Sequence, residues 1–470
     1  MDEWIWMSAS SQAKAIRNRD VSSEELVTAH LNRIQEVNSQ LNAVVQVVSD
    51  RALTEAREAD RMCARGEMKG PLHGVPMTLK DSLDTEGVIS TGGTTGRATF
   101  VPEQDAVVVA RLRAAGGILM GKTNTPELTL AAGTDNLIYG QTNNPYDLSR
   151  IPGGSSGGAG AIIASGGSPL DLGSDTGGSI RLPAHFCGIA GIKPTSGRVP
   201  RTGHIVPFGL GAIDSLTQIG PMARFVEDLV LVLPIIAGVD WQDPAIVDMP
   251  LGDPGAVDLK GLRIAMYTDN GLVTPSPETV EAVKTAAKSI EDAGGIVEET
   301  RPPALERVEA VREKLGPADG RAWVRRLLEK AGTTDVHPWI EERLEDSKPI
   351  GTDEYTALLE EVDQVRSEML SFLRGFDVIL CPVSPYAAPP HETWRDKDQF
   401  PGIADYTSPY NVTGWPGAVV RAGTSEEGLP IGVQVISRPW REDVALAVAA
   451  HLEEALGGWQ RPSILGGNAG

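Results

Sequence analysis

Through its first sixty-odd residues the chain is patterned for helices. In "VSSEELVTAHLNRIQEVN" the apolar positions Leu26, Ala29, Ile34 and Val37 recur at helical spacing. Ser22, followed three residues later by Glu25, is a capping box that starts this helix. "DRALTEAREADRMCARG" reads as a second helix stopped by Gly66. From Gly70 the period changes. "LHGVPMTLKD" and "AGGILMGKTN" are short apolar runs bounded by glycine, proline and polar residues, which predicts buried strands, and "AVVVARLRAAGG" between them reads as a helix. Strand, helix and strand in alternation predict an α/β fold, a sheet covered by helices. The same texture returns in "IAGIKPTSGRV", "LKGLRIAMYTD", "FDVILCPVSP" and "LPIGVQVISRP". Helical stretches separate these runs: "ETVEAVKTAAKSIEDAGG", a charged segment from about 305 to 373, and "EDVALAVAAHLEEALGG".

No composition break resembles a linker and no fixed-period repeat occurs, so residues 1–470 are read as a single α/β domain. It comprises a helical N-terminal layer (1–66), a core (67–235) and a variable cap over about 300–410. The cap ends in "CPVSPYAAPPHETWRDKDQFPG", and long aromatic-bearing loops on a rigid scaffold often shape pockets. Tyr386, Trp394, Phe400, Tyr410 and Trp415 are the candidate lining residues.

Charge narrows the partners. Lys and Arg number 42 against 63 Asp and Glu, a formal net charge of −21. Such a surface repels phosphate backbones and anionic lipid, so neither nucleic acid nor membrane is expected as a partner. Cys63, Cys187 and Cys381 make no disulfide framework and have no metal-ligand spacing. "MDEWIWMSASSQAKAIRNRD" has the features of neither a signal peptide nor a membrane span, and a cytoplasmic setting is expected.

The candidate chemistry lies in "IPGGSSGGAGAIIASGGSPLDLGSDTGGSIRLPAHFCG", Ile151 to Gly188. Glycine and serine are dense there, as in flexible linkers. The apolar "AGAIIAS" and "IRLPAHFCGIAGI" rule a linker out, and the glycines mark positive φ or close backbone approach. G-x-S-x-G matches twice, but "PYDLSRIP" is a poor strand to precede a nucleophile elbow. The D-T-G at Asp175 to Gly177 has no second copy, as an aspartic-protease dyad would need. No phosphate-binding G-x-x-x-x-G-K-[ST] pattern is present. His73, His185 and His204 could each serve a serine nucleophile as base, although satisfied structural roles are commoner for such histidines. The other option is a lysine made neutral by desolvation, and Lys80 at the end of the apolar run "VPMTLK" fits it.

Three blocks carry a family resemblance: "GVPMTLKDSLDTEG", "PGGSSGGAGA" and "GSDTGGSIRLPAHFCGIAGIKPTSGRV". Together with "LMGKTNTPEL", "FDVILCPVSP", "YNVTGWPGAVVRAG" and "GLPIGVQVISRPWRED", they resemble the amidase signature family along essentially the whole chain. The resemblance implies a large mixed β-sheet with helices on both faces, and hydrolysis of C–N bonds by a Ser–cis-Ser–Lys triad without metal or cofactor. Carried over by position, Ser179 would be the nucleophile, Ser155 the bridging serine on a cis peptide bond and Lys80 the base. Thr176, Gly177, Gly178 and Ser179 would line the oxyanion hole, with Ser174, Asp175 and Arg181 in support. The implied partner is a small-molecule amide or carbamate (urethane), the chain being a monomer or homodimer. The fatty-acid-amide-hydrolase-like side of the family looks nearer, with a substrate expected to be neutral and hydrophobic or aryl. The alternative within the family is the glutaminase component of a tRNA-dependent glutamine amidotransferase complex.

Overall fold

Residues 3–463 are described by a computed structural model. Three helices open the chain, α1 (Ala9–Asn18), α2 (Ser23–Leu41) and α3 (Ser49–Ala64). The capping box holds: Ser22 Oγ accepts the Glu25 N–H, and Ser22 N donates to Glu25 Oε2 at 2.8 Å. The helical layer also contains a short strand that its periodicity did not announce, β1 (Val44–Val47). Four residues are too few for an alternation to stand out against flanking helices.

The first two predicted runs form β2 (Pro76–Lys80) and β3 (Ile118–Thr123), joined through α4 (Val107–Ala114). They pair in parallel, and β1 adds antiparallel to β3, giving a three-stranded sheet in the order β1-β3-β2. Both long strands are buried at every position, which explains their continuous rather than alternating apolar character.

The glycine-serine region supplies α5 (Gly157–Ala164), β4 (Leu170–Asp175), α6 (Arg181–Phe186) and β5 (Ala190–Lys193). Then follow β6 (Gln218–Ala223), α7 (Val226–Ile236), β7 (Arg263–Met266), α8 (Pro277–Asp292) and β8 (Ile296–Glu299). The charged segment becomes four helices, α9 (Leu305–Leu315), α10 (Ala322–Ala331), α11 (Pro338–Glu345) and α12 (Thr352–Leu373). The chain closes with β9 (Val378–Pro382), α13 (Pro409–Val412), β10 (Gly417–Thr424), β11 (Pro430–Ser437) and α14 (Glu442–Leu456). The larger sheet has eight strands in the order β4-β6-β5-β10-β11-β9-β7-β8. It is mixed: β7 runs parallel to β8 and β9, and the other pairs are antiparallel.

One hydrophobic cluster joins the helical layer to both sheets, from Ala9 on α1 through Leu79 and Val433 to Leu452 on α14. A second lies under helices α9, α10 and α12, where Val308, Val324, Leu327, Val362 and Val365 pack with Ile379 and Ile436 of the large sheet. Each such side chain contributes about 1.5–3 kcal/mol on burial. The start of α11 is also tied down by polar contacts, since buried Glu127 takes the His337 N–H at 2.7 Å and the Thr94 hydroxyl at 2.7 Å. Cys63, Cys187 and Cys381 are free and buried. Among the described residues no helix is long and apolar enough to cross a membrane.

Candidate active site

Lys80 ends β2 with no exposed surface, although a lysine at a strand end ordinarily snorkels to water. Its Nζ donates to three serine hydroxyls: Ser155 Oγ at 2.7 Å, Ser156 Oγ at 2.9 Å and Ser174 Oγ at 3.0 Å. Three segments therefore converge on one amine: β2, the turn that enters α5, and the end of β4. Ser155 and Ser156 occupy that turn, and the Gly154–Ser155 peptide bond is cis. Gly154 has no room for a side chain, because a Cβ there would stand 2.7 Å from Gly133 O and 2.8 Å from Ala131 O. Burial drives the Lys80 amine well below its ordinary pKa, and the negative charges of Asp171 and Asp175 pull it part of the way back.

Ser179 lies between β4 and α6, in a loop organised around Asp175. That carboxylate would be raised by burial, but the Arg181 guanidinium beside it and the amide of Asn411 hold it well below the usual carboxylate range. Arg181 reaches it from both sides, Nε to Oδ2 at 3.0 Å and Nη2 to Oδ1 at 3.0 Å, with both side chains fully buried. Asn411 Nδ2 donates to Oδ1 at 2.8 Å. The backbone joins in, with Gly178 N donating to Oδ1 at 2.8 Å and Ile180 N to Oδ2 at 3.1 Å. Arg181 spends its remaining donors on Thr407 O at 2.8 Å, Gln434 Oε1 at 3.2 Å and Asn411 Oδ1 at 2.6 Å. The loop is thus fastened to the late chain as well as to its own strand.

Ser179 itself is half-buried, and its hydroxyl makes no hydrogen bond among the described residues. Its carbonyl accepts the Ser156 N–H at 3.2 Å, which ties the two serine-bearing turns together. Of the four oxyanion candidates, Gly178 stands apart from the other three. Its N–H is already given to Asp175, at a φ of +132° that favours glycine, and a Cβ would meet Thr407 Oγ1 at 2.3 Å. The N–H groups of Thr176, Gly177 and Ser179 have no acceptor among the described residues. Thr407 Oγ1 donates to Gly177 O at 2.7 Å, fixing that peptide plane, and the side-chain position of Gly177 opens onto free space.

Residues 25–446 match the family described as amidase. The chain is 35% identical over 483 residues to the glutamyl-tRNA(Gln) amidotransferase A subunit of Moorella thermoacetica, covering 96% of this chain and 97% of that protein. It is 34% identical over 471 residues to an acylamidase of Rhodococcus erythropolis, covering 95% of each. A bacterial aryl acylamidase belonging to the amidase signature enzymes superposes with a TM-score of 0.88 at 26% identity, over 98% of this chain and 99% of that one.

The chain belongs to the amidase signature family. As a member it is an amide C–N hydrolase. The α/β fold expected of that family, a large mixed sheet flanked by helices, is the one described above.

In this amidase the three histidines sit in structural contacts. His73 Nδ1 accepts Lys69 N, and its Nε2 meets Ala59 O. His185 lies between Gly432 N and Tyr386 O, and burial brings its pKa down to about 4. His204 lies against Val206, likewise lowered by burial, to about 3.

The five candidate lining aromatics of the late chain divide. Tyr410 and Trp415 are core residues, the former hydrogen-bonded to the Tyr267 hydroxyl at 2.9 Å. Tyr386 packs edge-on against Phe400. Trp394 sits on Gly133, where an added Cβ would lie 2.7 Å from its ring, and Gly133 in turn abuts Gly154. Trp339, which no sequence pattern singled out, stands beside Trp394 and donates Nε1–H to Leu130 O at 3.2 Å.

Three other polar members went unassigned in the sequence. Ser156 was visible as the second serine of the pair in "GGSSGG". Asn411 was visible only inside the quoted "YNVTGWPG", and Gln434 sits within a predicted strand that gave no polar signal.

Proposed function

We propose that this amidase acts alone on neutral acyl or aryl amides, and on aryl carbamates of similar shape, with Ser179 as nucleophile, Ser155 as proton bridge and Lys80 as base. The observation that carries this reading is the buried Lys80 amine held by three serine hydroxyls beside a serine whose own hydroxyl is unbound. A neutral amine keeps two N–H donors, for Ser156 and Ser174, and turns its lone pair to the Ser155 hydroxyl. Ser155 passes its hydroxyl proton to the Lys80 amine and accepts the Ser179 proton in its place as Ser179 Oγ bonds to the amide carbon. The oxygen that becomes negative faces the N–H groups of Thr176, Gly177 and Ser179, each such donor being worth about 2.7–4 kcal/mol of barrier. The proton returns through Ser155 to the leaving nitrogen as its bond to carbon breaks, so that a neutral amine departs rather than an amide anion. Water then cleaves the acyl-Ser179 ester by the same relay. Trp339 and Trp394, set over the loop that abuts Gly154, favour an apolar or aromatic substrate group.

The identity to amidotransferase A subunits supports a second reading, a glutaminase that works inside a complex. Nitroaniline release by the purified chain from acyl anilides, nitrophenol release from aryl carbamates and ammonia release from glutamine separate the two. Turnover of anilides or carbamates without a partner is the expected result. Silence on those, with ammonia released only when partner proteins are added, would replace it.

The base assignment makes its own prediction. Lys80→Ala is expected to lower kcat/KM by about 10³-fold or more. Because only the neutral amine can take a proton, wild-type kcat/KM should climb with pH through the Lys80 pKa and then level off. A profile flat from mildly acidic to alkaline pH, with chemistry rate-limiting, removes lysine as the base.

A further inference from the structure

Asp171 lies on β4, four residues ahead of Asp175, and is fully buried. Its Oδ2 accepts the Thr78 hydroxyl at 2.7 Å and the Thr123 hydroxyl at 3.0 Å, so one carboxyl ties β4 to both β2 and β3. The backbone N–H of Lys80 also turns toward it. Its Oδ1 is buried without a hydrogen-bond partner, and it makes no salt bridge among the described residues. As packing alone this is an unfavourable choice, since an unsatisfied buried polar atom costs about 1–3 kcal/mol.

The other charged groups around Lys80 have partners of their own. Asp175 is paired with Arg181. Lys122 on β3 donates to Leu83 O, Thr85 Oγ1 and Ser90 Oγ, with Asp81 as its principal counter-charge. His204 is held uncharged by burial. Asp171 is the foremost negative charge acting on the Lys80 amine.

We propose that Asp171 is a positioning residue of the hydrolytic site: its carboxylate, held by Thr78 and Thr123, fixes the strand that carries Lys80 and sets the pH at which the Lys80 amine gives up its proton. This rests on Lys80 being the base. Burial brings Asp171 itself up to about 7, so its charge changes around neutral pH. An ionised Asp171 favours the ammonium form of Lys80, and removing that charge lets the amine become neutral at lower pH.

The test is the pH profile of anilide hydrolysis by Asp171→Asn, a replacement of nearly the same shape that still accepts the two threonine hydroxyls. The acid limb of kcat/KM is expected to move down by about one pH unit, with the alkaline plateau reduced less than about tenfold. Thr123→Val, which removes one donor to the ionised carboxylate, should move the limb in the same direction by less, and it carries the test if Asp171→Asn fails to fold. A lowered plateau with an unmoved limb, or a limb displaced upward, overturns the proposal and leaves Asp171 as scaffold. Covalent labelling of wild-type and Ser179→Ala protein by a fluorophosphonate, together with the Lys80→Ala profile, tests the underlying reading separately. If Ser179 is not labelled, or the wild-type profile has no acid limb, the relay itself fails, whatever Asp171→Asn shows.

Discussion

Ser179→Ala is expected to abolish turnover of every substrate the wild-type chain accepts, with kcat lower by about 10⁵–10⁶-fold, the scale on which loss of a covalent nucleophile is felt. The same variant should be as stable as the parent. Its hydroxyl makes no hydrogen bond among the described residues and the side chain is only half-buried, so removing one oxygen leaves no orphaned partner. Substitutions of that kind fall within about 0.5 kcal/mol. An unchanged Tm beside a vanished rate separates chemistry from folding. The acyl-enzyme gives a second readout: mass spectrometry after quenching should find the acyl or phosphonyl adduct on the peptide holding Ser179, and none in the alanine variant. Retained hydrolysis in Ser179→Ala would move the nucleophile elsewhere, and Ser155 would be examined next because its hydroxyl is nearest to Lys80.

Much of the architecture was legible because it follows from local patterning. The capping box of α2, the buried runs of β2 and β3 and the helical periods of α8 and α14 each announce themselves within about a dozen residues. The β1 strand escaped because its four residues sit between two strong helices. The site was legible to a different degree. Lys80, Ser155 and Ser179 are polar residues in apolar or glycine-rich surroundings, which is a local anomaly that sequence displays. What closes the loop around Ser179 is not local. Thr407, Asn411 and Gln434 reach Arg181 or Asp175 across more than two hundred residues of chain. Nothing in "YNVTGWPG" distinguishes an asparagine that anchors a distant carboxylate from one that caps a turn. Asp171 was hidden for a related reason, since in "PLDLGSD" an acid within an apolar run reads as an exposed strand position until two other strands are seen to enclose it. Tyr410 and Trp415, candidate pocket walls in the sequence, are both buried in the core. Aromatic residues near a site draw attention as pocket walls, whereas their size makes core packing the commoner use.

Asp175→Asn should lower both stability and rate. The substitution keeps the shape but removes the charge from an ion pair with no exposed surface, leaving the Arg181 guanidinium uncompensated. Breaking such a pair from one side costs about 3–5 kcal/mol. Geometry adds to the loss. Both carboxylate oxygens accept only from donors, Gly178 N, Arg181 Nη2 and Asn411 Nδ2 on one and Ile180 N and Arg181 Nε on the other. An amide NH₂ placed on either side therefore faces a donor. The loop that carries Ser179 must move, and a displacement of about 1 Å is enough to cost about 100-fold in rate. The pH dependence has a definite sign. Because the folded pKa of Asp175 is depressed, its contribution to stability is complete above the unfolded value of about 4 and is lost only as pH falls through the lower folded value. The difference in urea midpoint between wild type and Asp175→Asn should accordingly stay constant from neutral pH down to about 5. A double variant, Asp175→Leu with Arg181→Met, separates the two roles of the pair. Removing both charges spares the protein an uncompensated ion, so its midpoint should lie well above the value obtained by adding the two single losses. Its activity should stay low, because leucine offers the Gly178 and Ile180 N–H groups no acceptor. Strictly additive losses in stability, or recovery of activity with the midpoint, would show that the Ser179 loop is held in place by something other than this ion pair.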